Sequence, residues 1–405
     1  MSEQLPFGGI KVADFSWIMV GPTTAKYLAD HGATVVRVES ASPPDRLRAA
    51  GPFKDGVPGT NRSQFFGDFN TSKLSLSLNL KNPAGVAVAR RLIAWADVYI
   101  ESFTPGTVDA LGIGYETACS LNPSIIMASN CLMGQSGPAA AFAGYGYHAS
   151  AIAGFHELTG WPDLAPDGPW MAYTNSIAPR LLAATIMAAL DHCRRTGQGQ
   201  YIDASQLEMA LHFLAPQIID FSVSGRVASR NGNRSDTMAP HGAYPCKGDD
   251  QWCAIAVESD EQWDALRRAL GDPAWARDDR FRTGDARHRH QEEIDRHLAQ
   301  WTSGRSAQEV MHLLQSVGIP AGVVQRSSDL LRDPQLAHRN FFRYMDHAEM
   351  GNIPYSGHQF RIRGYESGPR FPAPLLGEHN ELVLREILGM TDDEITEVVA
   401  AGAIA

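Results

Sequence analysis

The chain has 405 residues, of which 44% are hydrophobic and 20% charged, a composition ordinary for a folded globular protein of two or three domains. Its formal net charge of −10 argues against general binding to nucleic acid or to anionic membranes, and no apolar run reaches the roughly eighteen residues of a membrane span. The five cysteines lack a paired zinc spacing and the N-terminus lacks an export signal, so we expect a reduced, cytoplasmic protein without a metal site.

The first 130 residues alternate strand-like and helix-like patterns. Strands are predicted over 10–15, 34–39, 74–80, 97–103 and 124–129, with helices over 22–31 and 83–95 between them. Such alternation is typical of an α/β fold with a doubly wound parallel sheet. Ligands of such sheets bind at the C-terminal ends of the strands.

The rest of the chain predicts a second, smaller module. An Ala- and Leu-rich helix is expected over 179–193 and another helix over 205–221, followed by a loop rich in Arg, Asn, Gly and Ser at 227–240. A strand at 252–257 and helices at 260–270 and 306–317 come next. We therefore expect a large α/β domain over 1–225, a small α+β domain over 226–330 and a return to the large domain over 331–405.

Several common functional sites are excluded by their missing motifs. The turn after the first strand, Ser16 to Pro22, lacks the G-x-G-x-x-G of a nicotinamide-binding domain. No P-loop, G-x-S-x-G elbow or H-E-x-x-H motif is present. His288, His290 and His297 are candidate metal ligands, but the charged residues between them favour a solvated helix face.

A set of motifs in a specific order identifies a family resemblance. From about residue 7 to the terminus, the chain resembles the class III CoA-transferases, the family that includes formyl-CoA transferase and the carnitine and bile-acid CoA-transferases. The motifs are Asp14-Phe15-Ser16-Trp17, Gly21-Pro22, Leu28 to Ala33, Val36 to Glu39, Asn70 to Ser75, Glu101 to Gly106, Gly134 to Pro138, Thr196 to Asp203 and Pro374 to His379.

The resemblance implies a coenzyme A thioester as substrate, with no permanently bound cofactor. It assigns Ile18 and Met19 to the thioester end, Ser102 and Phe103 to the pantetheine, and Arg48 and Lys73 to the phosphates. Ala110 stands where formyl-CoA transferase has an Arg near the nucleotide, so the adenine contacts differ. The family further implies an interlocked dimer.

Asn175 stands where the resemblance implies an Asp that carries the acyl group as a mixed anhydride. An amide is a poor nucleophile, so the chain is expected to bind CoA esters and to turn over very slowly. Three interpretations are open. Asn175 is a substitution made in an active enzyme, or it marks a naturally inactive subunit that pairs with an active paralogue, or the nucleophile or the activity itself is different.

The expected reaction transfers CoA from an acyl-CoA, with succinyl-CoA as the expected donor, to a carboxylic acid. The segment around Tyr145 and His148 is most similar to the benzylsuccinate and mesaconyl branch, so both residues are predicted to bind the acyl group. The protein is expected as a homodimer or as a heterodimer with a paralogous subunit. An acyl-CoA racemase is the nearest alternative, but its His and Asp positions are Tyr145 and Asn175 here.

Overall fold

The computed structural model describes residues 5–404. A six-stranded, all-parallel sheet in the order β3-β2-β1-β4-β5-β6 forms the centre of the fold, which confirms the predicted doubly wound α/β class. Its strands are β1 Lys11–Phe15, β2 Thr34–Glu39, β3 Leu74–Ser77, β4 Val98–Glu101, β5 Ile126–Cys131 and β6 Gln200–Ser205. The others are β7 His241–Cys246, β8 Gln251–Ala256, β9 Ala321–Val323, β10 Phe342–His347 and β11 Gly351–Ser356.

In the described part of the chain, eighteen α-helices connect and cover these strands. The first ten are α1 Val20–Asp30, α2 Gln64–Phe69, α3 Pro83–Trp95, α4 Thr107–Ala110, α5 Tyr115–Leu121, α6 Gly146–Ala153, α7 Phe155–Leu158, α8 Tyr173–Thr196, α9 Gln206–Leu211 and α10 Ala215–Ser224. The last eight are α11 Asp260–Ala269, α12 Gly284–Arg289, α13 Gln291–Thr302, α14 Ala307–Ser316, α15 Ser327–Leu330, α16 Pro334–His338, α17 Asn380–Leu382 and α18 Asp392–Ala400. No helix in the described part of the chain is both long and apolar enough to cross a membrane.

The chain reverses its winding direction between β1 and β4. From β1 it proceeds outward through β2 to β3, and it then returns to place β4 on the other side of β1. Val12 consequently pairs with Val35 on one side and with Val98 on the other. A crevice opens at such a switch point, beyond the C-terminal ends of the two strands.

Helices bury both faces of the sheet, which explains why its strands are apolar almost throughout. On one face, side chains such as Val36 and Leu76 pack with Leu92 of α3. On the other face, Val35 packs in a cluster with Leu28 of α1 and Leu182 of α8. The sheet is therefore a rigid base for the loops at its strand ends.

The chain divides into two compact units. The larger unit runs up to Phe155, continues over Gly168–Val227 and resumes from Gln335. The smaller unit comprises His156–Asp167 and Ala228–Pro334, and so contains residues 156–167 besides a segment close to the expected 226–330. It is built on the antiparallel sheet β7-β8-β9, with a core that includes Trp263, Phe281 and Leu298.

The C-terminal segment runs along β3, the outermost strand of the parallel sheet. Ser72 N–H donates to the carbonyl of Phe371, and His379 N–H donates to the carbonyl of Ser75, both at 3.0 Å. The side chain of Asn380 accepts from Ser77 N–H at 2.8 Å. Residues 371–380 thus supply hydrogen-bond partners to an edge that is otherwise open.

Helix α8 corrects the helix predicted over 179–193. It begins six residues earlier, at Tyr173, and Pro179 lies inside it. The N–H that Pro179 lacks is the one that would donate to the carbonyl of Asn175 one turn earlier. A tertiary hydrogen bond stabilises the first turn instead, because Thr174 Oγ1 donates to the Gly146 carbonyl of α6 at 3.0 Å. Asn175 therefore belongs to the first turn of a helix and not to a preceding loop.

Candidate functional site

A cavity of about 450 Å³ opens at the C-terminal ends of β1, β4 and β5, at the switch point of the sheet. Loops after these strands form one wall, and the first turns of α6 and α8 form the other. The lining residues are Trp17 to Val20, Ser102 to Pro105, Asn130 to Leu132, Ala140, Phe142 to Gly146, His148, Asn175 and Gln206. This lining includes no Asp, Glu, Lys or Arg.

The loop after β1 holds a strained residue at the cavity wall. Ile18 has a φ of 67°, a left-handed conformation that costs a β-branched residue about 1–3 kcal/mol. Two side chains fix this loop: Asp45 Oδ2 accepts from Ile18 N–H at 3.0 Å, and Ser102 Oγ accepts from Trp17 N–H at 2.8 Å. The backbone of the loop is thereby held at two consecutive residues.

A buried ionic cluster lies behind this loop. Arg37 donates to Asp45 at 2.5 Å and lies 3.7 Å from Asp14 and 3.5 Å from Glu39, and all four side chains are fully buried. Burial raises the pKa of Asp14, but the charges of Lys73 and Arg37 outweigh it, so this pKa lies below its ordinary value. The cluster therefore favours the ionised form of Asp14 under the strand ends.

Arg48 and Lys73, the two residues expected at the coenzyme phosphates, belong to this cluster and do not line the cavity. Arg48 pairs with Glu39 at 2.7 Å, and Lys73 donates to Asp14 at 2.9 Å. Burial lowers the pKa of Lys73 to about 8, against the opposing charge of Asp14. Both cations are used inside the protein, so we assign neither a phosphate contact.

Asn175 lies in the first turn of α8 and faces the cavity. Its side chain is only 8% exposed, and among the described residues its Oδ1 atom has no hydrogen-bond partner. Gly146 lies directly against it, because a Cβ at that position would overlap Asn175 Oδ1. The polar atom at the predicted nucleophile position is thus buried and, among the described residues, unpaired, in a side chain that lines the cavity.

Tyr145 and His148 form the α6 wall. Tyr145 is the N-cap residue of α6, and its N–H donates to His148 Nδ1 at 3.1 Å. The Tyr145 side chain is 50% exposed, and its hydroxyl oxygen accepts from Arg46 Nη1 at 2.5 Å. Arg46, which the sequence did not single out, therefore reaches the cavity mouth.

A buried acid lies beneath the β4 end of the cavity. Glu101 accepts from Phe103 N–H at 2.7 Å. Burial raises the pKa of this carboxyl to about 7. Glu101 shapes the turn that carries Ser102 and Phe103 into the cavity.

Seven of the nine predicted site residues line one cavity: Ile18, Met19, Ser102, Phe103, Tyr145, His148 and Asn175. They come from four separate stretches of sequence that the switch point and the α6–α8 contact bring together. Within residues 5–404 there is no group of three or more His, Cys, Asp or Glu side chains that could hold a metal ion.

Comparison with known proteins gives the family. Residues 7–380 match the sequence profile of CoA-transferase family III. The chain is 30% identical over 399 residues to succinyl-CoA–D-citramalate CoA-transferase of Chloroflexus aurantiacus, with 98% of each chain covered. It is 30% identical over 398 residues to the succinyl-CoA–L-malate CoA-transferase beta subunit of the same organism, with 97% of each covered.

A solved structure agrees with these sequence relatives. The crystal structure of a CaiB/BaiF family protein from Brucella suis superposes with a TM-score of 0.87 at 29% identity, covering 95% of this chain and all of that one. The profile match over most of the chain, the full-length relatives and the shared fold lead to one assignment: the chain belongs to CoA-transferase family III.

Proposed function

We propose that this protein binds an acyl-CoA with the thioester carbonyl at Asn175, in a site built to move CoA from succinyl-CoA to a second carboxylic acid. The pantetheine would pass Ser102 and Phe103, and the acyl group would lie against Tyr145 and His148. The names of two relatives, each combining succinyl-CoA with a dicarboxylic hydroxy acid, support this class of donor and acceptor.

The proposed chemistry needs a carboxylate at position 175. Its oxygen attacks the thioester carbonyl, the C–S bond breaks, and a mixed anhydride and CoA thiolate result. The thiolate attacks the side-chain carbonyl of the anhydride, which releases the donor acid and leaves CoA on the enzyme as a thioester. The acceptor carboxylate then attacks that thioester, and the expelled thiolate finally attacks the acceptor's acyl carbon to regenerate the side-chain carboxylate.

Asn175 cannot complete this cycle. Its amide nitrogen and oxygen are far weaker nucleophiles than a carboxylate, and no carboxylate is regenerated without hydrolysis of the amide. We therefore propose that the chain as it stands binds acyl-CoA and transfers CoA very slowly. The single observation that carries the proposal is the buried Asn175 Oδ1 atom, unpaired among the described residues, at the wall of the switch-point cavity.

The helix start favours a negative charge at this position. Asn175 lies in the first turn of α8, where backbone N–H groups point away from the helix and the helix dipole stabilises an anion by about 0.3–1 kcal/mol. A carboxylate introduced by Asn175→Asp has the same shape as the amide. We expect it to fit without repacking.

The test compares the parent chain with Asn175→Asp, using succinyl-CoA as donor and D-citramalate, L-malate and benzylsuccinate as acceptors. Only the Asp form should release succinate and form a new CoA ester, and intact-protein mass spectrometry should detect its covalent CoA adduct. Asn130→Asp is the matched control, because it puts a carboxylate on the same cavity lining away from α8. Equal transfer by the parent chain, or transfer restored by Asn130→Asp alone, would overturn the proposal.

A non-catalytic subunit of a heterodimer is the second candidate, and an exposed apolar helix offers a surface for its partner chain. No residue of α10 is buried in the single chain, and Ile218, Ile219 and Phe221 lie exposed beside Val223, which is 83% exposed. Such a surface needs a partner chain. One relative is named as a beta subunit, which fits a paralogous partner.

Purification from the native source separates these possibilities. A stoichiometric paralogue with Asp at the position aligned with Asn175 would support the non-catalytic subunit. A lone homodimer with Asn175 would oppose it, and a native gene that encodes Asp at this position would identify Asn175 as an introduced substitution.

A further inference from the structure

Arg46 spans the mouth of the cavity. The preceding residue, Asp45, holds the Ile18 backbone on the β1 wall at 3.0 Å, so the backbone of Arg46 is anchored beside that wall. The Arg46 side chain ends at the opposite wall, where Nη1 donates to Tyr145 Oη at 2.5 Å. A guanidinium is therefore positioned between the two sides that an acyl group would enter.

The Arg46 guanidinium, unlike those of the neighbouring arginines, has no carboxylate partner among the described residues. Arg37 and Arg48 are buried and paired with carboxylates, whereas Arg46 is exposed and none of the ion pairs of residues 5–404 includes it. Its bond to Tyr145 uses one of five N–H donors and no opposite charge. The remaining donors can bind an anion in two parallel hydrogen bonds.

The cavity itself offers an anion no other charged partner. Its lining has no Lys or Arg, and a carboxylate enclosed without a cation is unfavourable. An acyl group with a second carboxylate can enter only if that carboxylate meets a cation at the mouth. Arg46 is one hydrogen bond away from the lining residue Tyr145.

We propose that Arg46 selects dicarboxylic acyl-CoA esters by binding the distal carboxylate of the acyl group, with Tyr145 positioning the guanidinium. The inference rests on the proposed function, because it places the thioester of the same ligand at Asn175. It adds the substrate class: esters with a free second carboxylate are preferred over neutral esters of equal length. A site that binds a charged group rejects the analogue without it, since its own donors are left unpaired.

The phosphates of CoA are a second source of the same anionic chemistry. Binding measurements on the unmodified Asn175 chain distinguish the two, because slow turnover leaves the ligands intact. Calorimetry would compare succinyl-CoA, butyryl-CoA and free CoA. Succinyl and butyryl groups both have four carbons, and only succinyl has the distal carboxylate, while all three ligands share the phosphates.

Arg46→Gln should weaken succinyl-CoA binding roughly 10- to 100-fold, the value of a charge-assisted pair, with butyryl-CoA and free CoA changed less than about twofold. Arg46→Lys keeps the charge and should lose less, and Tyr145→Phe should also lose affinity for succinyl-CoA alone. Arg268→Gln, at an exposed position of α11, is the control for loss of a surface charge.

Each other result has a defined meaning. Equal weakening of all three ligands by Arg46→Gln would assign Arg46 to the phosphates. Unchanged binding of all three would show that Arg46 does not contribute to ligand binding. Either result overturns the inference and leaves the proposed function intact. If the parent chain binds neither free CoA nor either ester, the proposed function fails and the inference fails with it.

Discussion

Replacement of Lys73 by Met tests whether this cation is structural. Its ammonium donates three hydrogen bonds, to Asp14 at 2.9 Å, to the Pro22 carbonyl at 2.8 Å and to Asn70 at 3.0 Å, and it is fully buried. Lys73→Met leaves the Asp14 carboxylate buried, with Arg37 at 3.7 Å as its remaining cation. Removing one partner of a buried pair costs about 3–5 kcal/mol, and Arg37 places this case near the lower end.

Thermal unfolding followed by circular dichroism gives the measurement. A loss of about 3 kcal/mol corresponds to a fall in Tm of roughly 5 °C for a unit of this size, while CoA affinity of the folded variant should stay unchanged. Lys54→Met is the control, because Lys54 pairs with Asp55 at 2.9 Å on the surface, where such a pair contributes at most about 1 kcal/mol.

Adding Asp14→Asn to Lys73→Met should recover part of the lost stability, since the uncompensated charge is then gone. The opposite pattern, an unchanged Tm with a large loss of CoA affinity, would refute the structural role and restore the phosphate contact expected from the sequence.

Two further predictions concern the cavity walls. Gly146→Ala should displace the Asn175 side chain, because the added methyl overlaps Oδ1, and should abolish the transfer gained by Asn175→Asp; Gly304→Ala, where a Cβ has open space, should leave that transfer intact. Normal transfer by the Gly146→Ala form would contradict the packing argument. Glu101 has a pKa raised by burial to about 7 from an ordinary 4.5, so the stability that its protonated form contributes is present below pH 4.5 and is lost as pH rises through 7. Glu101→Gln should remove this loss, worth about 2 kcal/mol over that interval, from the difference in urea unfolding free energy between pH 5.5 and pH 8. If the difference in unfolding free energy between the two pH values is the same in Glu101→Gln as in the parent chain, Glu101 is not the source of the pH dependence.

Local signals were enough to predict much of the large sheet. Helix α3 begins and ends at the predicted residues, because Asn82 caps it through Ala84 N–H and Pro83 suits its first turn. Strand β2 likewise has the predicted bounds. These elements carry their boundary information in the residues at their own ends.

Helix α8 shows where local information fails. A proline normally marks the start of a helix, and on that basis Pro179 was predicted as the first residue. The true first turn, around Thr174, is stabilised by a contact to Gly146 that lies 28 positions away in the chain. No local pattern contains that contact.

The site followed the same division. Residues at strand ends, such as Ile18 and Ser102, converge because parallel strands end at one edge of a sheet, so topology alone predicts their meeting. The roles of the cationic side chains were harder to predict, because a sequence shows a charge without its partner. Lys73 pairs with Asp14, which is 59 positions away in the chain, and Arg46 contacts Tyr145, which is 99 positions away. Asp14 and Glu39, acids within or at the end of predicted strands, were the available signal for buried cationic partners.

The segment that seals β3 has a consequence for biosynthesis. Residues 371–380 leave the ribosome about three hundred residues after the strand whose Ser75 and Ser77 they engage. Until then the edge strand β3 of the nascent sheet presents unpaired backbone N–H and C=O groups to other growing chains. We therefore expect folding to depend on chaperones and the pairing of residues 371–380 with β3 to be a slow last step after synthesis. Tags or truncations near this segment should therefore reduce the yield of native protein far more than changes at an ordinary surface helix.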